Sequence, residues 1–326
     1  MTRVRVVATG GTIASRHDAT AGGAVPTLTG RDLVAAVPGV ERFAELDVEQ
    51  YANVPSQYLT PQQVVDMGRH CQQLMADGHA DGVVVTMGTN TLAEYAYLMD
   101  ITAQPEGPLV ITGAMRNPSL LSPDGPRNLY DSVATAASQE ARGRGVLVCT
   151  NGEIHEPRDV IKTHTLSVAT FQSWDLGQVG AVRNNRVIFY RTPTVKEYIP
   201  AQRMDARVEV ITALEGDEGA LLRAAVEIGA RGIVLEAMGG GHVPATMMPA
   251  IQYALDQGIP VVMVSRGFGG SLLEGGYGFE GGDVHLQRVG VIFGGSLSGP
   301  KARLKLMAVL DTTQDTDQVR GYFDNV

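Results

Sequence analysis

The 326 residues include only two cysteines, Cys71 and Cys149. They are far apart in sequence and form no C-x-x-C pair, so neither a disulfide framework nor a cysteine-built metal site is expected. Two buried free thiols in a reducing cytoplasm is the plain reading. The seven histidines are scattered singly, without ligand spacing, which argues against zinc. No apolar run approaches the roughly 18 residues that a membrane span requires. A basic surplus is missing too. Lysine and arginine number 26 against 35 acids, for a net charge of -9. That balance speaks against a nucleic-acid surface. The opening MTRVRVVATGG has a short apolar run that breaks at glycines, which reads as a first strand rather than a signal peptide. Hydroxyls, carboxylates and a lysine are left to carry any chemistry, with no cofactor and no metal expected.

Glycine, by contrast, is abundant at 39 residues, implying many tight turns or close backbone approaches to a ligand. The hydrophobic share of 44% and charged share of 19% are those of an ordinary globular chain. Its length suits two domains. Short apolar runs alternate with helical patterns through the first 190 residues. Strands are expected at Arg3–Ala8, Gly82–Thr86, Pro108–Thr112 and Gly145–Thr150. Thr60-Pro61 opens a helix that stops at Gly78, Thr91 to Glu94 fits a capping box for the next, and Pro126 starts a third ending near Gly143. Such alternation builds a parallel sheet with helices on both faces. Asn184-Asn185 between alternating arms indicates a hairpin over 178–190. Residues 191–207, with Pro193, Pro200 and mixed charge, read as a linker between a catalytic domain at 1–190 and a smaller α/β domain at 208–326.

Ligands of an open parallel sheet bind beyond the carboxyl ends of its strands. The residues at those ends here are Thr9-Gly10-Gly11-Thr12, Asn53 to Gln57, Thr86 to Asn90 and Thr112 to Arg116. Paired glycines expose N–H groups that can hold an oxyanion, and a threonine after them can be a nucleophile if a base takes its proton. A plain tight turn explains the same letters. Lys162 is ordinarily a solvated cation. Partly desolvated beside a hydroxyl, it becomes a base.

Eight segments together resemble the bacterial L-asparaginase family of two-domain amidohydrolases. They are ATGGTIAS (8–15), Ser56-Gln57, VVVTMGTNTLAEYAYLMD (83–100), ITGAMR (111–116), SPDGPRNLYDSV (122–133), RDVIKTHT (158–165), VATFQS (168–173) and PKAR (300–303). The resemblance implies a larger N-terminal parallel-sheet domain and a smaller C-terminal α/β domain. It implies Thr12 as nucleophile and Thr89 with Lys162 and position 90 as a second trio that activates a hydroxyl or water. The N–H groups of Thr12 and Thr89 would hold the oxyanion. Gly11, Ser56, Gln57 and Gly88 would line the substrate, with Ser56 and Gln57 at its α-carboxylate. A homotetramer with sites between subunits is implied, a partner lending an acid; Asp283 lies nearest that position, with Glu280 and Glu274 as fallbacks.

This chain departs from the family pattern twice. Asn90 stands where the family has an aspartate that binds the substrate's α-ammonium. A charge pair at about 4 Å and an effective dielectric near 20 is worth on the order of 4 kcal/mol before desolvation. Ala24, in the loop AGGAVPTLTG, stands where a lid tyrosine is usual. The expected function is therefore hydrolysis of a small carboxamide, asparagine or a relative, to acid and ammonia or amine. The alternatives are a same-mechanism hydrolase of a substrate without a free α-amine (a dicarboxylic monoamide, an N-substituted amide or a lactone) and a ligand-binding homologue of low turnover.

Overall fold

The structure, a computed structural model, describes residues 1–193 and 196–324. The chain divides into two compact units, Met1–Tyr198 and Ile199–Val326. The expected linker straddles that division, and its residues 194 and 195 lie outside the described ones. No helix among the described residues is long and apolar enough to cross a membrane.

In the first unit the strands are β1 (Arg3–Ala8), β2 (Ser15–Asp18), β3 (Gly23–Pro26), β4 (Glu45–Gln50), β5 (Gly82–Thr86), β6 (Leu109–Thr112) and β7 (Val146–Thr150). They continue as β8 (Glu153–His155), β9 (Val160–Lys162), β10 (Phe171–Ser173), β11 (Gly180–Arg183) and β12 (Arg186–Phe189). The helices are α1 (Gly30–Ala35), α2 (Pro61–Ala76), α3 (Leu92–Thr102) and α4 (Gly125–Ala137). Eight strands form one sheet in the order β12-β11-β8-β7-β6-β5-β1-β4. The five from β4 to β7 are parallel, whereas β8, β11 and β12 extend the sheet antiparallel, so it is mixed rather than wholly parallel. Every residue of β5, β6 and β7 is buried, as helices on both faces require. Val84, Val110 and Leu147 meet Leu129 and Val133 of α4 in one cluster.

Local chemistry accounts for the element ends. Thr60 caps α2 with a reciprocal Gln63 box and Pro61 at the first position, and Gly78 at φ 70° ends it. The β11–β12 turn holds Asn184 and Asn185 at φ 50° and 61°, the pair of left-handed residues that a two-residue hairpin needs. Two expectations are corrected. Thr91 precedes α3, but its side chain makes no cap hydrogen bond, so the expected box is not formed. The helix opened by Pro126 stops at Ala137, and a separate 3-10 turn over Gln139–Ala141 completes the approach to Gly143.

The second unit has its own sheet, β13 (Val208–Thr212), β14 (Gly232–Ala237), β15 (Val261–Ser265) and β16 (Ile292–Phe293), all parallel and in sequence order. Its helices are α5 (Ala220–Glu227), α6 (Met248–Asp256), α7 (Asp283–Val289), α8 (Gly299–Thr312) and α9 (Thr316–Gly321). Ile233, Leu235, Leu222, Ile251 and Leu286 belong to a separate core.

Candidate active site

The carboxyl ends of β1 and β5 lie side by side, with Ala8 opposite Thr86. Beyond them three turns are stitched together through backbone. Thr9 N–H donates to the Thr86 carbonyl at 3.0 Å, Gly11 N–H to Val54 at 3.1 Å, and Val54 N–H returns to Thr9 at 3.0 Å. Gly11 sits at φ 79°, and a Cβ there would lie 2.4 Å from the Gly88 Cα. A Cβ on Gly88 would fall 2.8 Å from Ser56 Oγ. Both glycines are thus required by close approach of the strand-end turns, whatever else they do.

Into this frame come the side chains. Thr12 opens a 3-10 turn, Thr12–Ala14, immediately after Gly11. Lys162 ends β9, a short strand paired with β10. Its Nζ donates to Thr89 Oγ1 at 3.0 Å and to Asn90 Oδ1 at a long 3.5 Å. Asn90 in turn donates from Nδ2 to Gln57 Oε1 at 3.3 Å. Thr89 and Ser56 are buried at 6% and 1% exposure, and among the described residues Ser56 Oγ has no hydrogen-bond partner. Burial holds the Lys162 ammonium below the ordinary lysine range, and the Glu94 carboxylate partly offsets that. A lysine so placed gives up its proton more readily than a solvated one and has a hydroxyl within reach.

A cavity of about 220 Å³ is lined by Gly11, Thr12, Ser15, Ala24, Pro26, Pro55, Ser56, Gln57, Gly88, Thr89 and Asn90. A second, of about 390 Å³, is lined by Asn90, Lys162, Thr163, His164 and Thr165. Asn90 borders both. Eight of the nine residues singled out in the sequence thereby gather in one place: Thr12, Thr89, Asn90, Gly11, Ser56, Gln57 and Gly88 around the first cavity, and Lys162 bonded to Thr89 at its edge.

Asp283, which the resemblance assigns to a neighbouring subunit's site, belongs to the second unit. It is fully buried in the second unit at the start of α7, and its two carboxylate oxygens accept from Gly276 N–H and Tyr277 N–H, each at 2.7 Å. Burial pushes its carboxyl up, yet the backbone donors outweigh that and hold it below the usual carboxylate range. Its oxygens serve the turn of its own loop, whereas Glu274 and Glu280 are exposed.

The lid segment also differs from a plain loop. Ser15–Asp18 and Gly23–Pro26 pair as a hairpin with Ala24 opposite His17. Thr27 and Leu28 N–H both donate to the Ala14 carbonyl, and Ser15 Oγ donates to the Gly11 carbonyl, tying the hairpin to the turn that carries Thr12. Ser15, Pro26 and Pro55 on the cavity wall, and Glu94 in the field of Lys162, were not singled out in the sequence. Ser15 was within reach, since it closes the ATGGTIAS segment. The prolines and Glu94 carry no signal until the chain is folded.

Comparison with known proteins gives matches along the whole chain. Residues 3–195 match the family model "Asparaginase, N-terminal", and residues 207–323 match "Glutaminase/Asparaginase C-terminal domain". The chain is 33% identical over 308 residues to the L-asparaginase of Bacillus licheniformis, covering 94% of this chain and 95% of that protein. It is 31% identical over 330 residues to L-asparaginase 2 of Escherichia coli (strain K12), covering 98% and 92% respectively. Among solved structures, the probable cytoplasmic L-asparaginase of Campylobacter jejuni superposes with a TM-score of 0.88 at 31% identity over 99% of both chains.

Proposed function

The chain belongs to the asparaginase family, as an amidohydrolase acting on linear amide C–N bonds, and from that premise we propose that Thr12 is the nucleophile in the hydrolysis of a small carboxamide to acid and ammonia. The observation that carries this reading is the 3.0 Å hydrogen bond from Lys162 to Thr89 at the rim of the cavity that Thr12 also lines.

Thr12 Oγ adds to the carboxamide carbon, and the oxyanion is held by the N–H groups of Thr12 and Thr89. The C–N bond then breaks, the nitrogen takes the proton given up by Thr12 and leaves as ammonia, and an acyl ester remains on Thr12. Water, deprotonated through Thr89 by Lys162, attacks that ester. The acid leaves, and Oγ recovers its proton. Ser56 Oγ, buried with an unused donor, is suited to a carboxylate of the substrate. Cytoplasmic residence belongs to the same reading, supported by the two buried free thiols.

The test is ammonia release from asparagine, glutamine, succinamic acid and a small panel of amides, for wild type, Thr12→Ala and Lys162→Met. Thr12→Ala is expected to lose on the order of 10³-fold or more in kcat, with Lys162→Met similarly poor, because residues acting as a unit fail together. Wild-type turnover that Thr12→Ala leaves untouched would exclude this nucleophile.

A further inference from the structure

Taking Thr12, Thr89 and Lys162 in the roles given above, we infer that the substrate is a carboxylic acid ω-amide whose α position carries no ammonium, its neutral α-substituent extending past Asn90 into the second cavity. Asn90 provides the geometry. Its amide is oriented by two partners, the oxygen toward Lys162 Nζ at 3.5 Å and the nitrogen toward Gln57 at 3.3 Å. The only acceptor on this side chain therefore already faces the Lys162 nitrogen. An α-ammonium that used the same oxygen would have to share it and would find a neutral amide, not an anion, to balance its charge. A partly buried charge without a counter-ion costs more than the same charge in water.

A neutral group carries no such cost. An acylated α-nitrogen has one N–H to give and a carbonyl to receive, and Asn90 and Gln57 both offer amides able to match it. The unused donor of Ser56, 1% exposed, remains for the substrate's carboxylate. There is also room on the correct side. Asn90 is the residue shared by the 220 Å³ cavity and the 390 Å³ one, and the second is lined by Thr163, His164 and Thr165 together with Lys162. None of these lining residues is acidic. His164 accepts from the N–H groups of Leu166 and Ser167 through Nδ1, at 3.0 and 3.1 Å, which leaves its Nε2–H as a donor to an acyl oxygen.

The decisive measurement compares kcat/KM for N-acetylasparagine and asparagine in wild type and in Asn90→Asp. Wild type is expected to favour the acetylated amide by about tenfold or more, and Asn90→Asp to invert that order, since the new carboxylate restores a partner for an ammonium. Equilibrium binding by calorimetry of succinate against aspartate to wild type needs no variant and no turnover. Succinate, which lacks the ammonium, is expected to bind at least several-fold tighter. The inference is overturned if wild type prefers asparagine, if the variant leaves the ratio unchanged, or if aspartate binds as well as succinate. Failure of the underlying reaction reads out differently, as ammonia release from both amides that is independent of Thr12.

Discussion

At Lys162, burial and charge pull in opposite directions. Burial disfavours the ammonium, while Glu94 favours it, and the net result is a proton held less tightly than in water. If the neutral amine is the base, the acid limb of kcat follows this group. Replacing Glu94 by glutamine removes the stabilising anion, so the ammonium loses its proton at lower pH and the acid limb moves down. Replacing Asn90 by aspartate adds an anion and moves the limb up. A kcat–pH profile for the two variants is expected to show these opposite displacements; the same profile for both would remove Lys162 from the base role. Thr12 and Thr89 stand out in the sequence by type and by the strand ends they follow, whereas Lys162 and the significance of Asn90 come from the family resemblance. What could not be read was orientation. The bond from Asn90 to Gln57 links positions 33 apart in sequence, and no local pattern specifies which way an amide turns.

At the level of elements, the strand-end turns are tuned by absent side chains. Gly88 sits where a methyl group would meet Ser56 Oγ at 2.8 Å and Ser56 N at 3.1 Å. Gly88→Ala is therefore expected to push Ser56 out of place, with a stability loss of about 1–3 kcal/mol from overpacking. Substrate affinity is expected to fall with it, read as a raised KM. Gly23→Ala, in the lid hairpin, meets nothing within 4 Å and has no left-handed φ, so its unfolding midpoint is expected to match wild type. Equal behaviour of the two variants in urea unfolding and in KM would contradict this account. Capping shows where local pattern succeeds and fails. Thr60-Pro61 with Gln63 reads correctly because every partner is local. Thr91 to Glu94 fits the same capping-box pattern, yet the Thr91 side chain makes no cap bond, and Glu94 acts on Lys162, a residue brought in by β9. The lid hairpin went unread for a related reason: its two strands are four residues each and carry no apolar alternation. The antiparallel β8 is shorter still, and pairing with β7 and β11 makes it a strand.

For the molecule as a whole, strand–helix alternation indicates the α/β class, because each repeat must bury its apolar face on a shared sheet, and chain length with the proline-bearing stretch 191–207 indicates two units. The separate cores and sheets of the two units make their unfolding individually observable, and the cysteines mark one of them. Cys71 and Cys149 both lie in the first unit, both are 0% exposed, and burial pushes each thiol up to about 12. At pH 8 such a thiol is ionised only about one part in ten thousand, and the thiolate is the reactive form. A disulfide reagent is therefore expected to modify neither residue in the native protein over minutes, and both once the first unit unfolds. Neither thiol lies in the second unit. Following thiol exposure and far-UV ellipticity through the same urea titration separates the two cases. Coincident curves mean that the units unfold together, and an ellipticity change that precedes thiol exposure means that the second unit goes first. Rapid modification in the absence of denaturant would mean that the sheet around β7 or the packed face of α2 opens on its own, and the burial that holds both thiols neutral would then have to be abandoned.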